Sequence, residues 1–516
     1  MRIGIDVGGT HTDAVVMNGN DVLATFKALT SADVKTGIIE ALDAVMARAS
    51  LNAADITAVM IGTTQFTNAV IERRELSPTA IIRACLPTGT GIPPMCDWPE
   101  DIAAELGTNE YRVFGGHIFD GSEIHALDEA QIKQVAEDIR DKGIKAIAIA
   151  AAFSPMEHAH EFRISELVRE VIPDASITLS HEIGRLGIIE RENAALLNAA
   201  LGELATRVIN SMTEALNERN LHCPFYVSQN DGTLMAADFI ARYPALTFAS
   251  GPTNSLRGAA VLSGIDDAIV VDIGGTTSDV GVLAGGFPRE SNSYVDVGGV
   301  RTNFRMPDIM AVGLGGGSLV NEDGSQIGPK SVGHRLVTEG LVFGGDQLTS
   351  TDIIVASGAQ DVGNPEKVKH LSAELIEAAT QTMHRIVDDA IDKMRPSEEP
   401  VPIILVGGGS ILITRELSTA SRVICPEHAE VANAVGAAIA PAGGEVESIV
   451  SYGKISREEA IAAATKEAED KAIAAGADPD RLRVLDIEEN PMSYMADNAV
   501  KLRVKVVGEL VQGNKS

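Results

Sequence analysis

Short apolar runs alternate with amphipathic stretches along most of the 516-residue chain. Ile3 to Ile5 and Ala14 to Met17 are apolar runs of strand length on either side of a Gly-Gly turn, which predicts a β-hairpin with a tight loop. Ile269 to Val271 and Val280 to Leu283 repeat the arrangement. Between them, residues 56–64 read as a strand entering a turn, Phe66 to Arg74 as a helix and Lys145 to Phe153 as a buried strand. Helical spacing runs from Glu157 to Val171 and stops before Pro173. Glu190 to Glu218 predicts one long amphipathic helix, with Leu196, Leu197, Leu201, Leu204, Val208, Ile209 and Met212 apolar. Further on, 366–395 reads as a helix, Val401 to Gly409 as a strand ending in glycines, and Glu430 to Ala440 as an Ala/Gly-rich helix able to pack at close range. Such alternation predicts mixed α/β sheets.

The two hairpins echo each other. Residues 6–13 read DVGGTHTD and residues 272–279 read DIGGTTSD, with Asp, Gly, Gly, Thr and the final Asp in the same places. A duplicated hairpin predicts two lobes on one plan. The expected division is an N-terminal lobe over 1–180, a second lobe over 181–440, and a small α/β appendage over 441–516. PAGGEV, Pro441 to Val446, reads as the linker to that appendage.

Composition narrows the function classes. A formal net charge of −30 opposes binding to phosphate backbones or anionic lipid, so neither nucleic acid nor membrane is an expected partner. No apolar run reaches the roughly 18–20 residues of a membrane span. Cys85, Cys96, Cys223 and Cys425 form no CxxC pair, which gives a metal cluster no local support and fits a reducing cytoplasm. The chain opens directly on a strand with no leader pattern.

The candidate chemistry lies in the glycine turns. Gly8 and Gly9, with the Thr10 hydroxyl, can present bare backbone N–H groups to phosphate oxygens; Gly274, Gly275, Thr276 and Thr277 can do so from the other lobe. Asp6 and Asp272 end the strands that lead into these turns, where a carboxylate can hold Mg²⁺ directly or through water. Asp13 and Asp279 close the two repeats, either to orient water, metal or substrate or to stabilise the turns by hydrogen bonds. His11 either touches phosphate or caps its turn. Gly407, Gly408 and Gly409 can let an adenine ring lie on bare backbone, although three glycines also make an ordinary strand-to-helix turn. Gly315 and Gly316, in GLGGGS, are open to both readings in the same way. No GxxxxGK[ST] or GxGxxG spacing occurs at the two GGT turns, which disfavours P-loop and Rossmann sites.

Two phosphate hairpins, adenosine glycines and a final Ala/Gly helix, in that order, resemble the nucleotide signature of the actin/hexokinase/Hsp70-like superfamily. Longer blocks are similar to the A-type proteins of the hydantoinase/oxoprolinase family: GTTQFTNAVIERR from Gly62, SHEIGRLGIIERENAALLNAAL from Ser180, SQNDGTLMAADFIARYPALTFASGPTNSLRGAA from Ser228, and DIMAVGLGGGS from Asp308. The resemblance implies a two-lobed actin/hexokinase/Hsp70-like fold, ATP and Mg²⁺ as cofactors, and ATP-dependent opening of a cyclic amide or imide such as a hydantoin or 5-oxoproline. It also implies a separate B-type subunit as partner and an oligomeric assembly. A small-molecule kinase, a ketone-carboxylase subunit and a non-catalytic nucleotide switch are the competing readings. Asn68, Glu72, His181, Glu190 and Arg191 lie within the family blocks and are substrate-site candidates; a Glu–Arg pair on a helix is also an ordinary surface ion pair. The chain departs from the family pattern at His11, where an aromatic residue is common, and at Met310, where His is common and a thioether cannot replace it toward a hard cation.

Overall fold

The computed structural model describes residues 1–9, 11–29, 34–291, 294–492, 495 and 498–511. Strands β1 (Arg2–Val7), β2 (His11–Asn18) and β3 (Asp21–Leu29) form an antiparallel meander, and β4 (Ala58–Thr63) lies parallel to β1. β1 and β4 are apolar and buried almost throughout rather than alternately, because both faces of the sheet are covered. Ile38, Ala41, Leu42 and Val45 of helix Val34–Arg48 pack on one face, against Ile3, Ile5 and Val16. Val435 and Ala438 of helix Ala432–Ile439 pack on the other, against Val15 and Met17.

The chain then leaves this sheet to build a separate one from β5 (Thr79–Leu86), β6 (Asn109–Phe114), β7 (Ala146–Ala151) and β8 (Ser176–Leu179). All four strands are parallel, in the order β6-β5-β7-β8. It returns to the first sheet with β9 (Phe225–Ser228) and β10 (Leu234–Ala236). The second hairpin, β11 (Ala268–Ile273) and β12 (Ser278–Ala284), starts the other lobe, where strand Val401–Val406 lies parallel to β11 as β4 lies parallel to β1. Duplication therefore extends past the hairpins to a third strand. The chain adopts the two-lobed actin/hexokinase-like fold that the motif order predicts.

Helices Ser250–Ser263 and Ala432–Ile439 cross where the lobes meet. The approach requires glycine. A Cβ on Gly258 would overlap the carbonyl of Ala432, one on Gly436 that of Asn254, and one on Gly4 of β1 that of Ala434. Leu256, Ala259 and Ala260 pack against Val270 and Ile404 of the second lobe, while Ala434 and Val435 face the first.

Four expectations are corrected. Pro441 to Val446 is no linker: strand Ala442–Ser451 touches β10 at Leu234 and pairs antiparallel with strand Ala499–Leu510 over its whole length. With strand Ala477–Pro491, residues 442–510 complete a nine-stranded sheet with the N-terminal strands, so 441–516 is not an appendage. Lys505 locks this extension in place, its ammonium 2.9 Å from Asp231 and 3.1 Å from Glu290. The boundary at 180 does not separate cores either, since Ile183, Leu196, Leu197, Leu204, Phe225 and Phe248 pack in one cluster with Ile3, Ile5 and Ile61. The single helix over 190–218 is two, Ile188–Ala200 and Gly202–Glu218. The first is buried from Arg191 to Ala200 and so sits inside the molecule, whereas the second keeps a solvent face; Leu201 makes the corner between these environments. Among the described residues no helix is long and apolar enough to cross a membrane.

Candidate functional site

The two hairpins are superposable in their hydrogen bonding. Asp6 stands opposite Asp13 across β1 and β2, and Asp272 opposite Asp279 across β11 and β12. Gly8 N–H donates to the His11 carbonyl at 3.0 Å, and Gly274 N–H to the Thr277 carbonyl at 2.9 Å. These bonds close each loop and leave Gly9 and Gly275 with open space where a side chain would stand. Thr10 lies outside the described residues; Thr276 is half-buried and Thr277 exposed at the tip of the second turn.

The carboxylates of both lobes share one electrostatic environment. Burial first and the Asp13 charge second push Asp6 up to about 7, against the Asn254 and Asn433 amides, and Asp272 adds to the rise. Asp279 is also pushed up to about 7, by burial and then by the Asp272 charge. Asp272 is raised by burial, with Ser255 and Lys27 opposing and Asp13 reinforcing. Asp6, Asp272 and Asp279 are thus raised by burial and by neighbouring carboxylates, with contributions that cross between the lobes, which makes a site where a cation is favoured. Asp13 has one resident cation: Lys27 Nζ lies 2.7 and 2.9 Å from its two oxygens and also donates to the Glu430 carbonyl at 3.1 Å. His11 lies beside this pair, its pKa lowered by burial and then by Lys27.

Unsatisfied polar atoms mark the centre. Asp6 is 3% exposed; its Oδ2 accepts from Asn433 Nδ2 at 2.9 Å, while Oδ1 has no hydrogen-bond partner among the described residues. Asn254 is fully buried and its amide lies close enough to Asp6 to oppose the rise in that carboxyl, yet among the described residues neither its oxygen nor its nitrogen completes a regular hydrogen bond. Buried groups of this kind cost about 1–3 kcal/mol each unless a ligand satisfies them. Space is kept clear around them by glycine. A Cβ on Gly62 would overlap Asp6 Oδ1 and come within 2.6 Å of Asn254 Nδ2, and a Cβ on Gly407 would overlap Asp272 Oδ1. Gly407 also sits at φ +82°, in the left-handed region that favours glycine. This chemistry fits a divalent cation held through Asp6 and Asp272, with polyphosphate against the open turns at Gly9 and Gly275.

The remaining sequence candidates have distinct placements. Gly316 N–H donates to the Gly274 carbonyl at 3.0 Å and Gly317 N–H to that of Gly275 at 2.8 Å, while Gly315 N–H is taken by Ser318 Oγ at 2.8 Å. The Gly316 and Gly317 amides thus brace the second hairpin and the Gly315 amide is held within its own loop, so Gly315 and Gly316 present no free amide to phosphate. Gly407 and Gly409 likewise donate to Ala429 and Ile273 carbonyls at 2.9 and 2.7 Å, and Gly408 faces open space. Asn68 lies next to the first hairpin, its amide 3.4 Å from Thr64 Oγ1, which donates to the Val7 carbonyl. Glu72 forms an exposed pair with Arg74, and Glu190, largely buried, pairs with the exposed Arg301. Arg191 is buried, donating from Nε to Ser180 Oγ at 2.9 Å and from a terminal nitrogen to the Ala151 carbonyl at 2.7 Å. His181 pairs with Glu161 at 2.6 Å at the edge of the four-stranded sheet. Met310 stands opposite Val280 on β12, packed on the second core.

Sequence reasoning missed Lys27, Gly62, Asn254, Ser255 and Asn433. Asn254 and Ser255 lie inside the SGPTNSLRGAA block and Asn433 inside the Ala/Gly-rich helix, so polar residues in otherwise small-residue helices were the available signal.

Comparison with known proteins gives the family and the fold. The family model described as the hydantoinase/oxoprolinase N-terminal region matches residues 2–172, and the one described as hydantoinase/oxoprolinase matches residues 191–359. The chain is similar to the caprolactamase subunit alpha of Pseudomonas jessenii, 28% identical over 392 residues, covering 69% of this chain and 54% of that protein. It is similar also to the acetophenone carboxylase gamma subunit of Aromatoleum aromaticum, 28% identical over 251 residues, 46% of this chain and 34% of that one. The chain therefore spans about half the length, or less, of these two relatives. The crystal structure of the ATP-dependent caprolactamase from Pseudomonas jessenii superposes with a TM-score of 0.79 at 20% identity, covering 99% of this chain and 88% of that one.

Proposed function

Because this chain belongs to the hydantoinase/oxoprolinase family, we propose that it is an A-type, ATP-using enzyme component that activates a cyclic amide or imide for ring opening. The observation that carries this reading is the convergence of two matched hairpins on one cluster of four aspartates, with Asp6 Oδ1 and the Asn254 amide buried between them and lacking a regular hydrogen bond among the described residues. ATP supplies a phosphoryl group, which makes an amide carbon electrophilic and its nitrogen a better leaving group. Asp6 and Asp272 would hold Mg²⁺, which would offset the negative charge that builds on the transferring group.

The chain's own residues divide the work. Turn amides at Gly9 and Gly275 face phosphate from opposite lobes, and the Gly316 and Gly317 hydrogen bonds keep the second turn rigid. Lys27 holds Asp13 and places one positive charge beside the cluster. Gly408 offers bare backbone to the adenosine end. Asp279, protonated up to about 7, can orient water or substrate in either charge state. The closely crossed helices Ser250–Ser263 and Ala432–Ile439 join the lobes and so form the natural pivot for closure over a nucleotide.

The similarity to the acetophenone carboxylase gamma subunit, at the same 28% identity, favours ketone activation as the second reading. Similarity to proteins named as subunits supports a partner chain that completes the reaction. The test is phosphate release by the purified protein with hydantoin, 5-oxoproline, caprolactam and acetophenone, alone and with a co-expressed B-type subunit. Phosphate release coupled to ring opening supports the first reading and release coupled to ketone carboxylation the second; ATP hydrolysis indifferent to every compound would overturn both.

A further inference from the structure

The nucleotide cluster leaves one organised group of ionisable residues unused, and it sits on a different sheet. Sheet order β6-β5-β7-β8 has a switch point between β5 and β7. Helix Glu100–Leu106, after β5, packs through Ile102 and Leu106 on one face; helices Glu129–Asp141 and Ala159–Val171, after β6 and β7, pack together on the other. Open parallel sheets bind ligands at their carboxyl edge beside such a point. His158 follows β7 there, and His181 follows β8.

Glu161 is fully buried and surrounded by donors. It accepts from Ala151 N–H at 2.9 Å, Ser180 Oγ at 2.5 Å, His181 N–H at 3.2 Å and His181 Nδ1 at 2.6 Å. Burial opposes its charge, but the hydrogen bond from His181 and the Arg191 guanidinium outweigh it, so its carboxyl lies below the usual range. A carboxylate only accepts, so His181 donates from Nδ1, and in its neutral form the ring holds a lone pair at Nε2 on the opposite side. Among the described residues nothing hydrogen-bonds Nε2, and the side chain is 13% exposed. The His158 ring stacks on His181 at 4.9 Å and 18°, and the Phe162 ring, 43% exposed, meets it edge-on at 5.2 Å. A base fixed by a buried carboxylate, open at its far nitrogen and walled by exposed rings, has the parts of a proton-transfer site for a flat ligand. The neighbouring His117–Glu123–His160 group is different. Gly116 N–H donates to His160 Nδ1 at 2.9 Å, so Nε2 carries the proton and donates to Glu123, the wrong tautomer for a metal ligand.

We propose that His181, positioned by Glu161, is the proton acceptor for a small planar amide, imide or ketone bound against Phe162 and His158. In this step the bond from hydrogen to the nitrogen or carbon beside the carbonyl breaks. The proton forms a bond to His181 Nε2, and the electron pair left behind delocalises onto the carbonyl oxygen. Imidazolium and substrate anion together keep the charge balanced, with Glu161 stabilising the cation. The substrate class rests on the proposed function above; the site itself does not.

The test uses full-length protein labelled with ¹³C at histidine Cε1, titrated with hydantoin, caprolactam and acetophenone without nucleotide. The resonance lost in His181→Gln should move with at least one of them, and Phe162→Ala should weaken that binding about tenfold. In phosphate release coupled to the same compound, His181→Gln should lower kcat about 100-fold, and Phe162→Ala should raise KM with little change in kcat. Glu161→Gln, the positioning variant, should lower kcat while KM holds. A His181 resonance that no compound moves, or wild-type kcat in His181→Gln, would overturn the proposal. Calorimetry of ATP binding separates the two ideas, because loss of the nucleotide reading would leave the ligand-induced shift at His181 intact.

Discussion

Asp6 concentrates the chemistry of this molecule in one side chain, and its charge state sets two expected behaviours. Folded Asp6 holds its proton up to about 7, whereas an unfolded aspartate releases it near about 3.9. The folded chain therefore binds more protons between these values, and its stability without ligands should fall as pH rises from about 4 to about 7, then level off. Asp279, raised to a similar value for the same reasons, adds to the slope. Urea midpoints of the metal-free protein at pH 5.5 and 8 check this, and a higher midpoint at pH 8 would contradict it. Because a cation must displace that proton, apparent Mg²⁺ affinity should rise with pH up to about 7 and flatten above, as read by isothermal calorimetry with ATP present. Asp6→Asn or Asp272→Asn should lower Mg²⁺-dependent turnover by about 100-fold or more, while Asp6→Asn leaves the fold intact or more stable, since a buried charge is removed. Unchanged turnover in both variants would remove the basis for the assignment.

At the scale of elements, the second hairpin is as much a product of residues 315–317 as of its own sequence. A Cβ on Gly315 would stand 2.5 Å from Thr276 N and 2.6 Å from the Gly275 carbonyl carbon, so Gly315→Ala must push the turn outward. Weaker ATP binding by about tenfold, in a protein that still unfolds cooperatively, is the expected result. The interlobe helices offer the complementary case. Gly436→Ala places a methyl group against the Asn254 carbonyl, and separating the two backbones should cost about 1–3 kcal/mol by overpacking. It should also displace Asn254 from Asp6, so stability and nucleotide affinity should fall together. Apolar runs foretold where most strands and helices form, because burial on both faces leaves little freedom in composition. They did not foretell the break at Leu201, since a helix entering the core and one lying on the surface share the same apolar spacing.

Over the whole molecule, the chain's last segment closes the first lobe rather than hanging from the second. Truncation after Ala440 would remove three of nine strands, together with helix Arg457–Ala474 and its buried Ala460, Ala464, Ala468 and Ala472. It would also leave β10 as an open edge. Such a truncation should yield insoluble protein; a soluble, cooperatively folded product spanning residues 1–440 would show that the nine-stranded sheet is not one unit. The misreading of 441–446 as a linker has a plain cause. Its proline and paired glycines match a turn, yet Gly444 lacks a side chain because the helix above comes too close: a Cβ there would overlap the Ala468 carbonyl.

The duplicated DxGGTxxD hairpins, the order of the glycine motifs and the family blocks were legible from the residues alone, because each depends on local backbone geometry and on spacing along the chain. Local pattern sufficed for two lobes, two turns and the aspartates at their bases. It could not supply Lys27, Asn254 or Asn433, which come from a third strand and two distant helices to lie beside Asp6 and Asp13. Nor could it distinguish glycines that face open space, such as Gly9 and Gly275, from Gly315 and Gly316, whose amides are spent within their own loop and on a neighbouring turn. A residue's type states which contacts it can make; only folding, by bringing remote segments within hydrogen-bond reach, decides which of them it makes.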